Sequence, residues 1–206
     1  NPATSSDTLT ANATGSTDPE GSPVTYTYDW LLNGSSSGFS GPTLASSATT
    51  KGDNWTVRAT PSDGTTTGPF AEDVVTIANE APVVSSVSVS PSNPSPQDDL
   101  TCSYSASDAD GDSVSIEFQW TMGGNTLSST TDILEGPFQQ GDTLTCTVTP
   151  YDGTDYGTPV SASATISNTV PVISALTVTP AVVYTADMIQ ATVSATDADG
   201  DTLTYT

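Results

Sequence analysis

The sequence has no histidine and only two basic side chains, Lys51 and Arg58, against 24 Asp plus Glu in 206 residues. Without histidine there is no Ser-His catalytic pair and no His-ligated zinc site. A formal net charge of −22 disfavours binding to nucleic acid and to anionic lipid headgroups. The composition therefore predicts a protein that is not an enzyme. Its acidic surface either attracts divalent cations or only keeps the protein soluble.

Long apolar runs are also absent, because no stretch approaches the roughly 18–20 residues that span a bilayer. We expect no direct membrane insertion in this segment. No signal peptide is visible and the chain opens without a methionine, so we expect an internal piece of a longer protein. Few aromatic residues and strong acidity are typical of disorder, but clean apolar alternation and three tryptophans favour a folded chain.

The sequence repeats with a period of about 89 residues. Pro82-Val83-Val84 recurs as Pro171-Val172-Ile173, and the segment Asp-Ala-Asp-Gly-Asp at 108–112 recurs at 197–201. Such self-similarity indicates a tandem array of one structural unit. We predict a first repeat at 1–79 that lacks its opening strand, a complete repeat at 80–168, and the N-terminal part of a third at 169–206.

Within the complete repeat, apolar residues alternate with Ser, Thr and Asp. Leu100, Cys102 and Tyr104 form one such run, and Leu144 and Cys146 belong to another. A period of two predicts antiparallel strands with one face toward water. About seven such strands in roughly 90 residues predict an all-β fold of antiparallel two-sheet sandwiches.

Cys102, Trp120 and Cys146 lie on the predicted second, third and sixth strands, and this order resembles the immunoglobulin-like superfamily. The resemblance implies a disulfide between Cys102 and Cys146 with Trp120 packed against it, and an oxidising, extracellular or cell-surface location. The alternative is a pair of free buried thiols. Ala11 and Val57 replace the cysteines in the first repeat, so the disulfide is not needed in every repeat.

The recurring Asp-x-Asp-Gly-Asp motif resembles bacterial immunoglobulin-like, PKD-like and cadherin-like tandem repeats of large extracellular surface proteins. Alternating carboxylates on a glycine-containing loop can bring several hard oxygens to one point, as calcium requires. By the cadherin resemblance, calcium would stiffen the chain of repeats, with asparagines of the linkers contributing. The alternative is that the aspartates only cap turns. The hypothetical calcium ligands are Asp108, Asp110, Asp112, Asp197, Asp199, Asp201, Asn79 and Asn168.

These observations favour a non-catalytic structural or adhesive stalk segment of an extracellular or cell-surface repeat protein, with calcium as its candidate stiffening ligand. Its partners would be the neighbouring repeats of the same chain, other copies of itself, or a host or cell-surface ligand. One alternative is a self-assembling extracellular filament subunit. Another is a carbohydrate-binding accessory module of a secreted hydrolase, although Trp30 and Trp120 fall in core phase.

Overall fold

The computed structural model describes residues 2–206, which form β-strands and one short 3-10 turn, Ser46–Ala48. The chain divides into two compact units. The first comprises the chain up to Val83 together with Ala106–Ser115 and Pro150–Gly157. The second comprises Val84–Ser105, Ile116–Thr149 and Thr158–Thr206. None of the described residues belongs to a helix of the length and apolar character that crossing a bilayer requires.

The first unit contains a four-stranded antiparallel sheet and a two-stranded one. Its core brings together Leu9, Trp30, Leu44, Trp55 and Ile77, each at most 7% exposed. Leu9 and Leu44 are directly paired across the smaller sheet. The strands are β1 (Leu9–Thr10), β2 (Thr25–Leu32), β3 (Ser35–Ser40), β4 (Thr43–Leu44), β5 (Asn54–Ser62) and β6 (Ala71–Thr76), in the orders β3-β2-β5-β6 and β1-β4.

The complete repeat forms a four-stranded and a three-stranded sheet, which is the seven-strand sandwich that the alternation predicts. Their orders are β10-β9-β12-β13 and β11-β8-β7. The strands are β7 (Val83–Ser90), β8 (Leu100–Ser107), β9 (Ser115–Met122), β10 (Asn125–Thr126), β11 (Ile133–Leu134), β12 (Thr143–Tyr151) and β13 (Val160–Thr165); the third repeat adds an antiparallel pair, β14 (Val172–Thr179) and β15 (Gln190–Thr196).

The core of the second unit lies around the disulfide that the immunoglobulin-like resemblance implies. Cys102 of β8 is joined to Cys146 of β12, which lie in different sheets. Every second residue of β12 from Leu144 onward is buried, which confirms the period of two. Tyr104 continues the alternation of β8 but is 44% exposed. Its ring packs edge-on against Phe118, with centroids 5.7 Å apart, rather than inside the core.

Trp30 and Trp120, which correspond to each other in the sequence repeat, make equivalent hydrogen bonds. Trp30 Nε1 donates to the carbonyl of Gly41, and Trp120 Nε1 donates to the carbonyl of Thr131, both at 3.0 Å. Each acceptor lies eleven residues after its tryptophan. A buried indole N–H needs such a partner, since leaving it unpaired is costly. The matched hydrogen bonds show that the repeat seen in the sequence is also present in the structure.

Candidate metal centre at the aspartate loops

The first aspartate loop follows β8 and is organised by the side chain of Asp108. Its Oδ1 accepts hydrogen bonds from the backbone N–H groups of Asp110 (2.8 Å) and Asp112 (3.1 Å). Gly111 has φ 81, a left-handed conformation in which glycine carries no steric penalty. The capping role predicted as the alternative is therefore present, but it uses only one oxygen of Asp108.

The second oxygen of Asp108 is buried and unpaired. Among residues 2–206, Asp108 Oδ2 and Trp55 Nε1 are the buried side-chain polar atoms without a hydrogen-bond partner. A buried carboxylate oxygen without a donor costs free energy, which a bound cation would offset. One oxygen from each of Asp108, Asp110 and Asp112 lies within 4.8 Å of the others. The loop thus has the oxygen-rich character of a hard-cation site.

A second acidic loop lies in the same unit and is joined to the first through the adjacent residues Asn79 and Glu80. The amide Nδ2 of Asn79 donates to Oδ2 of Asp152 and to Oδ2 of Asp155, both at 2.8 Å. The hydrogen bond from Asn79 is the main cause of a lowered pKa at Asp152, so this carboxylate stays ionised at neutral pH. The backbone N–H of Glu80 donates to Asp110 at 2.7 Å. Residues 79 and 80 therefore contact both acidic loops.

Sequence reasoning missed Lys51, the chain's single lysine. Its ammonium forms an ion pair with Asp112 and donates to Oδ1 of Asn79 at 2.9 Å. The hydrogen bond to Asp112 is the largest cause of a raised pKa at Lys51, with charge contributions from Asp110 and Asp152. The scarcity of basic residues was the available signal. The single lysine of so acidic a chain is attracted electrostatically to clusters of carboxylates.

The loop of the third repeat, in the second unit, has the same construction. Asp197 Oδ1 accepts from the N–H groups of Asp199 (2.9 Å) and Asp201 (3.3 Å). One oxygen of each of these three carboxylates again lies within 4.8 Å of the others. Thr169 donates to Asp199 from both its backbone N–H and its hydroxyl. Asn168 donates to the carbonyl of Thr169 at 2.9 Å, so its amide is not directed at the carboxylates as that of Asn79 is.

The loop that carries Asp152 and Asp155 is fixed by a close backbone approach at Gly157. A Cβ at this buried position would lie 1.8 Å from the carbonyl oxygen of Pro82 and 2.8 Å from Cγ of Pro150. No side-chain rotation relieves the first overlap, because the clashing atom belongs to the backbone. Glycine is therefore required to hold this loop beside residues 79 and 80.

We expect Gly157→Ala to destabilise the first unit by about 3 kcal/mol, the upper part of the usual range for overpacking. Gly68→Ala is the matched control. The backbone N–H of Gly68 donates to the carbonyl of Pro61 at 2.9 Å, as that of Gly157 donates to the carbonyl of Pro150. A Cβ at Gly68 would come closest to the ring carbon Cγ of Pro61, at 3.0 Å, and would meet no backbone atom closer than 4.0 Å. We expect a cost below about 1 kcal/mol there. Urea denaturation of both variants checks this, and equal costs would contradict the close approach at Pro82.

The tryptophans offer no platform for a sugar. Trp30, Trp55 and Trp120 are each at most 3% exposed. A stacking platform requires an exposed aromatic face, and these faces are inside the core. This gives the carbohydrate-binding alternative no support from the residues that most often serve such binding.

No family model matches this sequence, and no curated protein matches it. Among solved structures, the FN1–FN3 domains of chicken CNTN1 match 71% of this chain at 13% identity with a TM-score of 0.31. The chain covers 55% of that structure's length. A segment of two fibronectin type III domains from chicken tenascin matches 72% of this chain, and 87% of its own, at 13% identity and a TM-score of 0.34. At these values the likeness says nothing about function. By its own sheets, register and disulfide, the chain is a tandem array of immunoglobulin-like β-sandwiches.

Proposed function

We propose that this chain is a non-catalytic structural or adhesive segment of an extracellular or cell-surface repeat protein, and that calcium binds its aspartate loops. The observation that carries the calcium site is the buried, unpaired Oδ2 of Asp108 within a cluster of three convergent carboxylates. The extracellular location is supported by the disulfide, since such bonds persist in oxidising compartments. Sandwiches repeated in tandem suit a spacer, because repeats set length without a new site.

Calcium fits these residues better than other common metals. Calcium takes six to eight oxygen ligands in flexible geometry, and carboxylates and amide carbonyls are its usual protein ligands. Zinc sites are built mainly from cysteine and histidine, and this chain has no histidine and its two cysteines are paired. At the first loop, Asp108, Asp110 and Asp112 would hold the ion. At the loop of the third repeat, Asp197, Asp199 and Asp201 would do so.

A cation at the first loop would act structurally. Asp112 of the second sequence repeat forms an ion pair with Lys51 of the first. Asp110 accepts a hydrogen bond from the backbone N–H of Glu80, the residue that follows the predicted end of the first repeat. Carboxylates at such short separations repel one another unless a positive charge compensates them. Calcium would therefore hold the aspartate loop against the end of the preceding repeat. This role requires neither a nucleophile nor a proton-transfer group.

Asp108→Asn tests the proposal. The substitution keeps an oxygen that can cap the loop but removes the charge at the unpaired atom. For the unsubstituted chain, calcium at about ten times its Kd is expected to add about 1.4 kcal/mol to the free energy of unfolding. We expect Asp108→Asn to lose most of this calcium-dependent increment at the first loop, measured by thermal unfolding of the first unit in calcium and in excess chelator.

Asp18→Asn is the matched control. Asp18 Oδ1 caps an equivalent turn, accepting from the N–H groups of Glu20 (2.9 Å) and Ser22 (3.0 Å). Its loop has Ser22 where the third aspartate stands in the other repeats. We expect this variant to keep the full response to calcium. Calorimetry that shows no saturable calcium binding at millimolar concentration, or an unaltered response of Asp108→Asn, would refute the proposed site.

A further inference from the structure

Lys51 and Gln140 occupy equivalent positions in two matching turns. Lys51 precedes Gly52 and Gln140 precedes Gly141, and both glycines have φ 86. The backbone bonds around them also match. The N–H of Gly52 donates to the carbonyl of Ile77 (2.8 Å), and the N–H of Gly141 donates to the carbonyl of Ile166 (2.9 Å). Likewise, the N–H of Thr50 donates to Oδ2 of Asp53 (2.8 Å), and the N–H of Gln139 donates to Oδ2 of Asp142 (2.9 Å).

The aspartate loops beside these turns match as well. The middle aspartate of each loop accepts a backbone hydrogen bond from the residue after the linker asparagine, Glu80 for Asp110 and Thr169 for Asp199. Gln140 and Asp199 line one shallow cleft of the second unit. The chain therefore holds two copies of one three-carboxylate framework, with a lysine beside the first copy and a glutamine beside the second.

The lysine already provides a cation at the first loop. Its ammonium contacts an oxygen of Asp112 and the side-chain carbonyl of Asn79, two oxygens that calcium could otherwise use. The one other basic side chain of the sequence, Arg58, pairs with Glu72 on β6. The second loop consequently has no basic side chain of this chain available to it.

We propose that Lys51 is a built-in cation of the first aspartate loop, so that calcium binds the second loop, beside Gln140, more tightly than the first. The inference rests on the proposed calcium sites and adds their order of occupancy. At the first loop, calcium must displace the ammonium or bind in its presence. At the second loop, calcium meets the same three-carboxylate framework without a competing charge. The two loops thus respond to different ranges of calcium concentration.

Exchanging the two residues tests this order. A unit charge about 6 Å from a dication in a water-like dielectric changes its affinity by about tenfold. Lys51→Gln is therefore expected to tighten calcium binding at the first loop about tenfold. Gln140→Lys is expected to weaken binding at the second loop by a similar factor. Isothermal titration with calcium on the full chain measures each loop separately, in an Asp201→Asn background for the first loop and an Asp112→Asn background for the second.

Arg58→Gln is the matched control, because it removes the same charge at a place away from the loops. We expect it to leave both affinities unchanged, which separates the local ammonium from the net charge. Affinities of the two loops that are equal, or a Lys51→Gln effect no larger than that of Arg58→Gln, would overturn the inference and leave the calcium sites standing. If neither loop binds calcium, the proposed sites and this inference are both wrong.

Discussion

Replacing Cys102 by Ala and Cys146 by Val together is expected to lower the free energy of unfolding of the second unit by about 4 kcal/mol. The disulfide joins residues separated by 44 positions, and a cross-link of this span restricts the unfolded chain far more than the folded one. The replacement pair is the one that the first repeat carries naturally, as Ala11 and Val57. Loss of the cross-link should therefore outweigh any loss of packing.

Hydrogen exchange of the amides in β12 measures this effect, because their exchange reports the opening free energy of that core strand. Adding a reductant to the unsubstituted chain should bring its protection close to that of the double variant. The double variant itself should not respond to the reductant. A difference below about 1 kcal/mol would mean that the disulfide adds little to the sandwich, in contrast to the usual 2–5 kcal/mol.

Trp120→Ala is expected to cost about 3–5 kcal/mol of the second unit's stability, the usual range for removing a buried aromatic side chain. Trp120 is 0% exposed and its indole N–H donates to Thr131. The substitution leaves a cavity that the disulfide-linked sheets cannot easily close, and it leaves the Thr131 carbonyl without this donor. Urea denaturation, followed by circular dichroism or hydrogen exchange, gives the cost.

Tyr104→Ala is the control for this prediction. Tyr104 lies on β8 of the same unit and also makes an aromatic contact, but 44% of it is exposed. We expect it to cost about 1 kcal/mol, because only part of its surface leaves water on folding. Equal costs for the two variants would show that the tryptophan does not anchor the core. The contacts made by Tyr104 with Phe118 and by Trp120 with Thr131 lie outside the aspartate loops. Calcium binding should therefore persist wherever the variant remains folded.

The sequence by itself determined the repeat, the strands and the positions of the core anchors. A strand shows its two faces with a period of two, so the alternation in β12 predicted which of its residues are buried. It predicted the face but not the depth. Tyr104 and Cys102 share a phase on β8, yet they are 44% and 2% exposed, because depth depends on what the opposite sheet places over each residue.

The aspartate loops could be recognised from sequence because all their aspartates lie within five consecutive residues. Their local capping follows from the same short spacing. The repeat also predicted that the loop would recur in the third repeat with the same construction, and it does. The assignment of calcium to these loops stays a prediction, and so do the boundaries between repeats at 79/80 and 168/169.

The tertiary structure decided what surrounds each loop. Lys51 meets Asp112 across 61 positions of sequence. No local pattern encodes such contacts, because they depend on how distant loops pack at one end of a sandwich. The unpaired oxygen of Asp108 is likewise a consequence of burial by other segments. Sequence could name the acidic residues, whereas only the folded chain could show which of them already have a cation.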